Sequence, residues 1–194
     1  MIVRRLLVAF AVAAFAATAS FAAPADAPKV LIETSLGDIT LQLDNAHAPA
    51  TVDNFLRYAR AGHFDATVVY RVVPGFVIQM GSYDADGNAR PVGAPVALEA
   101  NNGLRNLRGA VAMAREDDPN SATAEFFIDL ADNSNLDRHA DDPGNTTGYA
   151  VFGKVIAGMD VVDKIAGVAL GDRGPMPGAA PVDPVIIRKV SVLP

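Results

Sequence analysis

The sequence contains no cysteine among its 194 residues. Disulfide bonds and thiolate metal sites are therefore excluded, and the fold must be stable without covalent cross-links whatever its redox compartment. A surplus of basic residues is also missing, because 16 Lys and Arg stand against 22 Asp and Glu and give a net charge of −6. Since nucleic-acid binding needs a positively charged surface, this balance argues against a nucleic-acid partner.

The motif of an α/β-hydrolase is absent as well. No Gly-x-Ser-x-Gly stretch occurs, and His47, His63 and His139 lack a convincing serine partner. The sequence therefore gives little support for a hydrolase.

Two acidic segments have only a weak resemblance to metal sites. The segment Asp84 to Asn88 is similar to a calcium loop, but its spacing is wrong and no acidic residue occupies the twelfth position. His139, Asp141 and Asp142 lie in a long polar segment that is better explained as a solvated loop. We therefore expect no metal and no cofactor.

The N-terminus has the composition of a secretory signal peptide. Arg4 and Arg5 precede an apolar, Ala-rich run, and Ser20-Phe-Ala22 places small residues at the −3 and −1 positions of a cleavage site. We predict a signal peptide over residues 1–22 and an Ala/Pro linker over 23–28, followed by one domain at 29–194. The alternative is an uncleaved membrane anchor, but the run is too short and too Ala-rich for a good span.

Most of the remaining chain has the patterns of short strands. Alternation and apolar runs predict strands over 29–34, 38–43, 68–73, 76–80, 109–114, 125–130, 149–156 and 185–192. Two helices are predicted: residues 49–61 carry an apolar stripe at i, i+3, i+4 and i+7, and a shorter helix covers 159–165. Residues 171–184 are rich in Gly and Pro and are expected to be irregular. Many strands with two helices indicate a closed β architecture, although spacing alone leaves the strand number open.

One stretch combines a single cation with apolar surface. Arg71 lies within Val68 to Gly81, just before the turn Pro74-Gly75 and the apolar residues that follow it. A second run, Ala124 to Leu130, adds aromatic side chains. Together these runs suggest an apolar pocket with one guanidinium at its edge and no accompanying nucleophile.

Four motifs in this order resemble those of the cyclophilins, which are peptidyl-prolyl cis–trans isomerases. They are the stretch from Tyr70 to Gln79, Ala112-Met-Ala114, Glu125 to Ile128 and Val151 to Val155. The resemblance covers about residues 29–194 and is nearest to the exported bacterial cyclophilins. It implies a mainly β fold, a closed eight-stranded antiparallel β-barrel capped by two α-helices.

The resemblance also implies roles for particular residues. The positions that match catalytic residues are Arg71, Phe76 and Gln79: Arg71 matches the catalytic donor, Phe76 a position that lines the proline pocket, and Gln79 a position that contacts the substrate backbone. Phe126 is assigned to the core instead. The positions that match substrate-binding residues are Val77, Ala114, Arg115, Glu125, Phe127, Asn135, Leu136 and Tyr149. Four of these depart from the usual family residue, which is Met for Val77, Gln for Glu125, Trp or Phe for Asn135, and often His for Tyr149.

The implied function is isomerisation of X–Pro bonds in exported proteins. Its partners would be proline-containing polypeptides, with no nucleic acid and no membrane after cleavage of the signal peptide. We expect a monomer in the periplasm. A proline-binding chaperone or adaptor with little turnover is the alternative, since Glu125 and Asn135 leave room for it.

Overall fold

The computed structural model describes residues 27–144 and 146–194. The predicted signal peptide, and most of the predicted linker, lie outside the described residues. Within the described part, no helix is long and apolar enough to span a bilayer.

Ten strands, two α-helices and one 3₁₀ turn follow one another along the described chain. In order they are β1 (Lys29–Thr34), β2 (Gly37–Leu43), α1 (Pro49–Arg60), β3 (Thr67–Val73), β4 (Val77–Asp84), β5 (Ala110–Met113), β6 (Phe126–Asp129), the 3₁₀ turn (Ser134–Leu136), β7 (Val151–Ala157), α2 (Met159–Ala166), β8 (Leu170–Gly171), β9 (Ala180–Pro181) and β10 (Ile186–Val192). The two predicted helices and the eight predicted strands are confirmed, with ends that differ by at most four residues.

Eight of these strands close into a barrel. Their order around it is β1-β10-β3-β4-β6-β5-β7-β2, and all neighbouring strands are antiparallel. The architecture that the resemblance implied is thus confirmed. Closure leaves no unpaired edge strand in this sheet, so its backbone N–H and C=O groups can pair around the whole circumference.

The barrel interior and α1 share one hydrophobic core. Val52, Phe55 and Leu56 on the buried face of α1 are at most 4% exposed, as the apolar stripe of this helix predicted. The ring of Phe55 lies 5.1 Å from that of Phe64 and 5.2 Å from that of Phe126, in stacked and edge-on arrangements. Such contacts add stability beyond the buried area alone.

The helix α1 ends where a glycine permits the chain to reverse. Gly62 follows the last helical turn with φ of +67°, a conformation that glycine adopts at little cost. Gly62 is therefore the residue that ends the helix.

The Gly/Pro-rich segment contains structure that its composition did not predict. Instead of being wholly irregular, it includes β9, which pairs with β8 through Leu170↔Pro181 and Gly171↔Ala180. These strands are too short for any alternation to show in the sequence. A similar difference occurs at Phe76, which closes the turn and donates its N–H to the carbonyl of Val73 (2.9 Å) rather than beginning β4.

A second, smaller hydrophobic cluster lies apart from the main core. It contains the buried Val77, Ala110, Ala112, Ala114, Phe127 and Val151, against which the half-buried Phe76, Leu104, Leu136 and Tyr149 pack. Successive strand residues point to opposite faces of a sheet. The cluster therefore occupies the outer face of β4, β5 and β6, while Ile78, Phe126 and Ile128 fill the interior.

Candidate active site

A cavity of about 170 Å³ lies on this outer face. The residues that line it are Arg71, Phe76, Val77, Gln79, Ala114, Arg115, Phe127, Leu136 and Tyr149. They come from β3, β4 and β6, from the end of β5, and from the loops before β7. The cavity is thus built on a rigid sheet and closed by loop residues.

The floor of the cavity is apolar. Val77 and Phe127 are 2% and 4% exposed, and their strands are paired in antiparallel register in the barrel. The Tyr149 ring meets Phe127 edge to face, with centroids 5.5 Å apart. A small apolar ring would lose its contact with water in such a floor, which favours its binding.

Arg71 supplies the cationic edge of the cavity. It is half-buried on β3 and directly opposite Gln79 on β4. Its Nη1 donates a hydrogen bond to Oε1 of Gln79 at 3.1 Å. No carboxylate of the described residues pairs with it within 4 Å, so its remaining N–H donors are available toward the cavity.

Behind Gln79 lies a partly buried hydrogen-bonded triangle. The hydroxyl of Tyr70 donates to Oε2 of Glu125 at 2.5 Å. Nε2 of Gln79 donates to both of them, to Oε2 of Glu125 at 3.1 Å and to the Tyr70 hydroxyl oxygen. Burial, followed by the nearby Glu125 carboxylate, raises the pKa of Tyr70 far above its ordinary value. Tyr70 therefore remains a hydrogen-bond donor throughout the physiological range.

Arg115 lines the cavity and braces the wall that Tyr149 forms. Its guanidinium lies over the Tyr149 ring, 5.1 Å from the centroid. Its Nε donates to the carbonyl of Gly148 at 3.0 Å, and its Nη1 donates to that of Glu116 at 2.8 Å. Such a cation–π contact holds the ring in place.

Nine of the eleven predicted site residues are brought together in the cavity lining. The other two lie nearby but outside it. Glu125 is connected to Arg71 only through Gln79, and Asn135 is an exposed residue of the 3₁₀ turn beside Leu136. Phe126 is fully buried in the main core, as predicted. The functional roles of these residues stay predictions.

Sequence reasoning missed a polar bridge that supports Phe76. Nδ2 of Asn133 donates to the carbonyl of Phe76 at 2.9 Å and to Oδ1 of Asp129 at 2.6 Å, and Leu130 N–H donates to the same carbonyl at 2.8 Å. Asp129 is fully buried, and this burial raises its pKa to about 7. The position of Asp129 in an apolar strand could have indicated this bridge, because a buried acid needs a polar partner.

It also missed Tyr70, which was noted only as part of a motif. The signal was again an acid, Glu125, next to an apolar run. A partly buried carboxylate needs hydrogen-bond donors, and a tyrosine hydroxyl can supply one.

The two weak metal patterns form closed loops instead. Oδ1 of Asp84 accepts from the N–H groups of Asp86 and Asn88, each at 2.9 Å, and these bonds lower its pKa. Burial would raise the pKa of Asp142, but the bonds from Thr146 and Thr147 outweigh it and lower the pKa overall. No group of three or more His, Asp or Glu side chains suited to a metal occurs in the described residues.

The cavity lining itself has no nucleophile. Among the described residues that line it there is no Ser, Thr, Asp, Glu or His, only apolar side chains, one amide, one phenol and two guanidiniums. Such a site can bind an apolar ring and donate hydrogen bonds beside it.

Comparison with known proteins agrees with this geometry. Residues 29–192 match the model of the family "Cyclophilin type peptidyl-prolyl cis-trans isomerase/CLD". The chain is 48% identical over 165 residues to peptidyl-prolyl cis-trans isomerase cyp18 of Streptomyces antibioticus, covering 84% of this chain and 98% of the relative. It is 43% identical over 180 residues to peptidyl-prolyl cis-trans isomerase A of Dickeya dadantii, covering 93% and 88%.

Solved structures show the same fold. A cyclophilin-type peptidyl-prolyl cis-trans isomerase of Cryptosporidium parvum superposes with a TM-score of 0.71 at 22% identity, over 87% of this chain and 98% of the other. The barrel, its outer cavity and the family match together define one class of protein, and the chain belongs to the cyclophilin family. It is, more particularly, a peptidyl-prolyl cis–trans isomerase, as the relatives at 43–48% identity are named.

Proposed function

We propose that Arg71 is the catalytic donor of this isomerase and that the protein acts on proline-containing chains exported to the periplasm. The observation that carries the catalytic role is the placement of a half-buried guanidinium at the edge of an apolar cavity, held by Gln79. The proline ring would rest on Phe127, Val77 and Leu136. Arg71 would then face the nitrogen or the preceding carbonyl of the X–Pro bond.

The chemistry requires only that the twisted amide be favoured. Amide resonance creates a barrier of about 18–20 kcal/mol, and twisting the bond returns the lone pair to the proline nitrogen. A donor near that nitrogen or the carbonyl stabilises the twisted form. Arginine suits this role because it stays charged and presents a rigid fork of N–H groups.

The required stabilisation is within reach of such a site. An ordinary turnover rate needs a barrier lower by roughly 3–7 kcal/mol. One preorganised donor contributes about 3–4 kcal/mol in a site shielded from water. Positioning of the proline ring against the apolar floor can contribute the remainder.

A pair of arginine variants tests the catalytic role. Arg71→Ala should lower kcat by roughly 10²–10³, the cost of losing one preorganised donor. Its thermal midpoint should barely move, because the side chain lies at the edge of the cavity. Arg60→Ala removes the same charge from an exposed position on α1 and should leave kcat unchanged.

The assay is a protease-coupled measurement on an X–Pro test peptide, together with titration of a proline peptide. Retention of full kcat by Arg71→Ala would remove Arg71 from the mechanism. Binding of the peptide by the unmodified protein with negligible turnover would support the chaperone alternative instead.

The proposed location rests on the N-terminal sequence. Arg4, Arg5, the apolar run and Ser20-Phe-Ala22 support export and cleavage after Ala22. N-terminal sequencing of the protein from the periplasmic fraction of a Gram-negative cell should give a start near Ala23. An intact Met1 in a cytosolic fraction would contradict the proposal.

We also propose that the protein works as a monomer. All nine residues that line the cavity belong to one chain, so the site does not need a second copy. Sedimentation at assay concentration should give the mass of a single chain, and a dimer would contradict this part of the proposal.

A further inference from the structure

The amide of Gln79 is held in one orientation by its neighbours. Its oxygen faces Arg71, which can only donate, and its nitrogen faces Tyr70 and Glu125. A carboxylate only accepts, and the single hydroxyl hydrogen of Tyr70 is already given to Glu125. Both groups behind Gln79 therefore require a donor.

Rotating this amide by 180° would leave neither end with a suitable partner. The carbonyl would then face the acceptor oxygens of Glu125 and Tyr70, and the NH₂ group would face the N–H donors of Arg71. Unmade hydrogen bonds of this kind are costly in a partly buried site. Because Glu125 only accepts hydrogen bonds and Arg71 only donates them, the amide between them can satisfy both only in the observed orientation.

We propose that Tyr70 and Glu125 are positioning residues, which fix the amide of Gln79 and through it the guanidinium of Arg71. Tyr70 is 3% exposed and does not line the cavity. It therefore acts at a distance from the substrate, through Gln79. This inference rests on the proposed catalytic role of Arg71.

The first test is Tyr70→Phe, which deletes one hydroxyl and keeps the buried ring. The expected result is a fall in kcat of about three- to tenfold, the effect of one intramolecular hydrogen bond. KM should stay within about twofold, because Tyr70 makes no contact with the cavity. Tyr83→Phe is the matched control, since that ring packs 4.8 Å from Tyr70 but does not bond to Gln79. The control should keep the kcat of the unmodified protein.

Repeating the substitution in a Gln79→Ala protein distinguishes a positioning role of Tyr70 from a general contribution to the stability of the fold. In a Gln79→Ala protein the connection to Arg71 is already broken, so adding Tyr70→Phe should change kcat by less than about 1.5-fold. A merely structural role would give the same loss in both backgrounds. That result, or an equal loss from Tyr83→Phe, or no loss from Tyr70→Phe, would overturn the proposal.

The orientation of the amide can also be measured directly in the unmodified protein. By side-chain NMR, the Gln79 NH₂ protons should exchange with solvent at least severalfold more slowly than those of an exposed amide such as Asn135, and Tyr70→Phe should speed their exchange. Exchange at the rate of Asn135 in the unmodified protein would refute the fixed orientation.

Arg71→Ala separates the two proposals. If it keeps full kcat, the catalytic role fails and the positioning role fails with it. If it loses kcat while Tyr70→Phe does not, only the positioning role fails.

Discussion

Replacing Asp129 by asparagine should change how the stability of the protein depends on pH. Asp129 is fully buried on β6, Oδ1 accepts a hydrogen bond from Asn133, and Oδ2 has no partner among the described residues. Burial, partly offset by the Asn133 bond, raises its pKa from 3.8 to about 7. Asparagine keeps the size of the side chain and removes its titration.

The sign of the effect follows from proton binding. Between pH 4 and pH 7 the folded protein keeps a proton on Asp129 that the unfolded chain has released. The free energy of unfolding of the unmodified protein therefore decreases as pH rises through this window. A pKa difference of about 3 units, at about 1.36 kcal/mol each, gives a loss of about 4 kcal/mol once pH exceeds 7.

The measurement is urea unfolding of both proteins from pH 4 to pH 8. The free energy of unfolding of Asp129→Asn should rise by about 4 kcal/mol relative to that of the unmodified protein as pH increases over this range. Any fixed cost of the substitution cancels in that comparison. Parallel curves for the two proteins would refute the assignment of a raised pKa to Asp129.

A neighbouring acid provides the matched control. Burial alone would raise the pKa of Asp137, but the hydrogen bonds from Asn106 and Arg105 outweigh it and lower the pKa overall. Its contribution to stability is present above the unfolded pKa and is lost only on acidification. Because the Asp137 charge also helps to raise the pKa of Asp129, the curve for Asp137→Asn should keep most, but not all, of the slope of the unmodified protein from pH 5 to pH 8 and should diverge from it below pH 4.

Three further predictions concern the cavity and its surroundings. The preference of the enzyme for lysine beside proline is measured as kcat/KM for lysine-containing peptides divided by kcat/KM for neutral peptides. Glu125→Gln should lower this preference by about two- to fivefold, because a partly exposed charge pair is worth up to about 1 kcal/mol; an identical preference in both proteins would contradict the prediction. Asn135→Trp should tighten inhibition by cyclosporin, a ligand of eukaryotic-type cyclophilins, at least severalfold. Burying a third of the surface of an aromatic side chain against the ligand contributes about 1–2 kcal/mol, and calorimetric titration of both proteins would show the difference in affinity. Phe126→Ala should lower the free energy of unfolding by about 3–5 kcal/mol, whereas Phe127→Ala should mainly raise KM; equal losses of stability in chemical denaturation would contradict the division between core and cavity.

The individual elements could be predicted because each carries a local pattern. The alternation in β2 and the stripe of Val52, Phe55 and Leu56 on α1 follow directly from strand and helix geometry. Closure of the barrel could not be derived in this way, because it depends on which distant strands pair. The number of strands came from the resemblance to a family, and the pairing of β1 with β10 had no local signal.

The apolar lining of the site could be predicted, but its polar support could not. Phe76, Val77 and Phe127 lie within recognisable motifs. Tyr70 and Asn133 act through hydrogen bonds to residues 55 and 57 positions away in the sequence. Such contacts leave no periodic trace, so only the unexplained acids, Glu125 and Asp129, indicated that partners must exist.

Alternation along β4 and β6 explains how one sheet serves both the core and the site. Ile78 and Ile128 face the interior and pair with each other, whereas Gln79 and Phe127 pair on the outer face. A shift of one residue in register would exchange these two sets and place the amide of Gln79 in the core. Because that exchange would bury an unpaired polar group, the same energy that stabilises the barrel also fixes the position of the cavity surface. Hydrogen bonds such as those of Tyr70 then need only to orient side chains that the strands have already brought within reach.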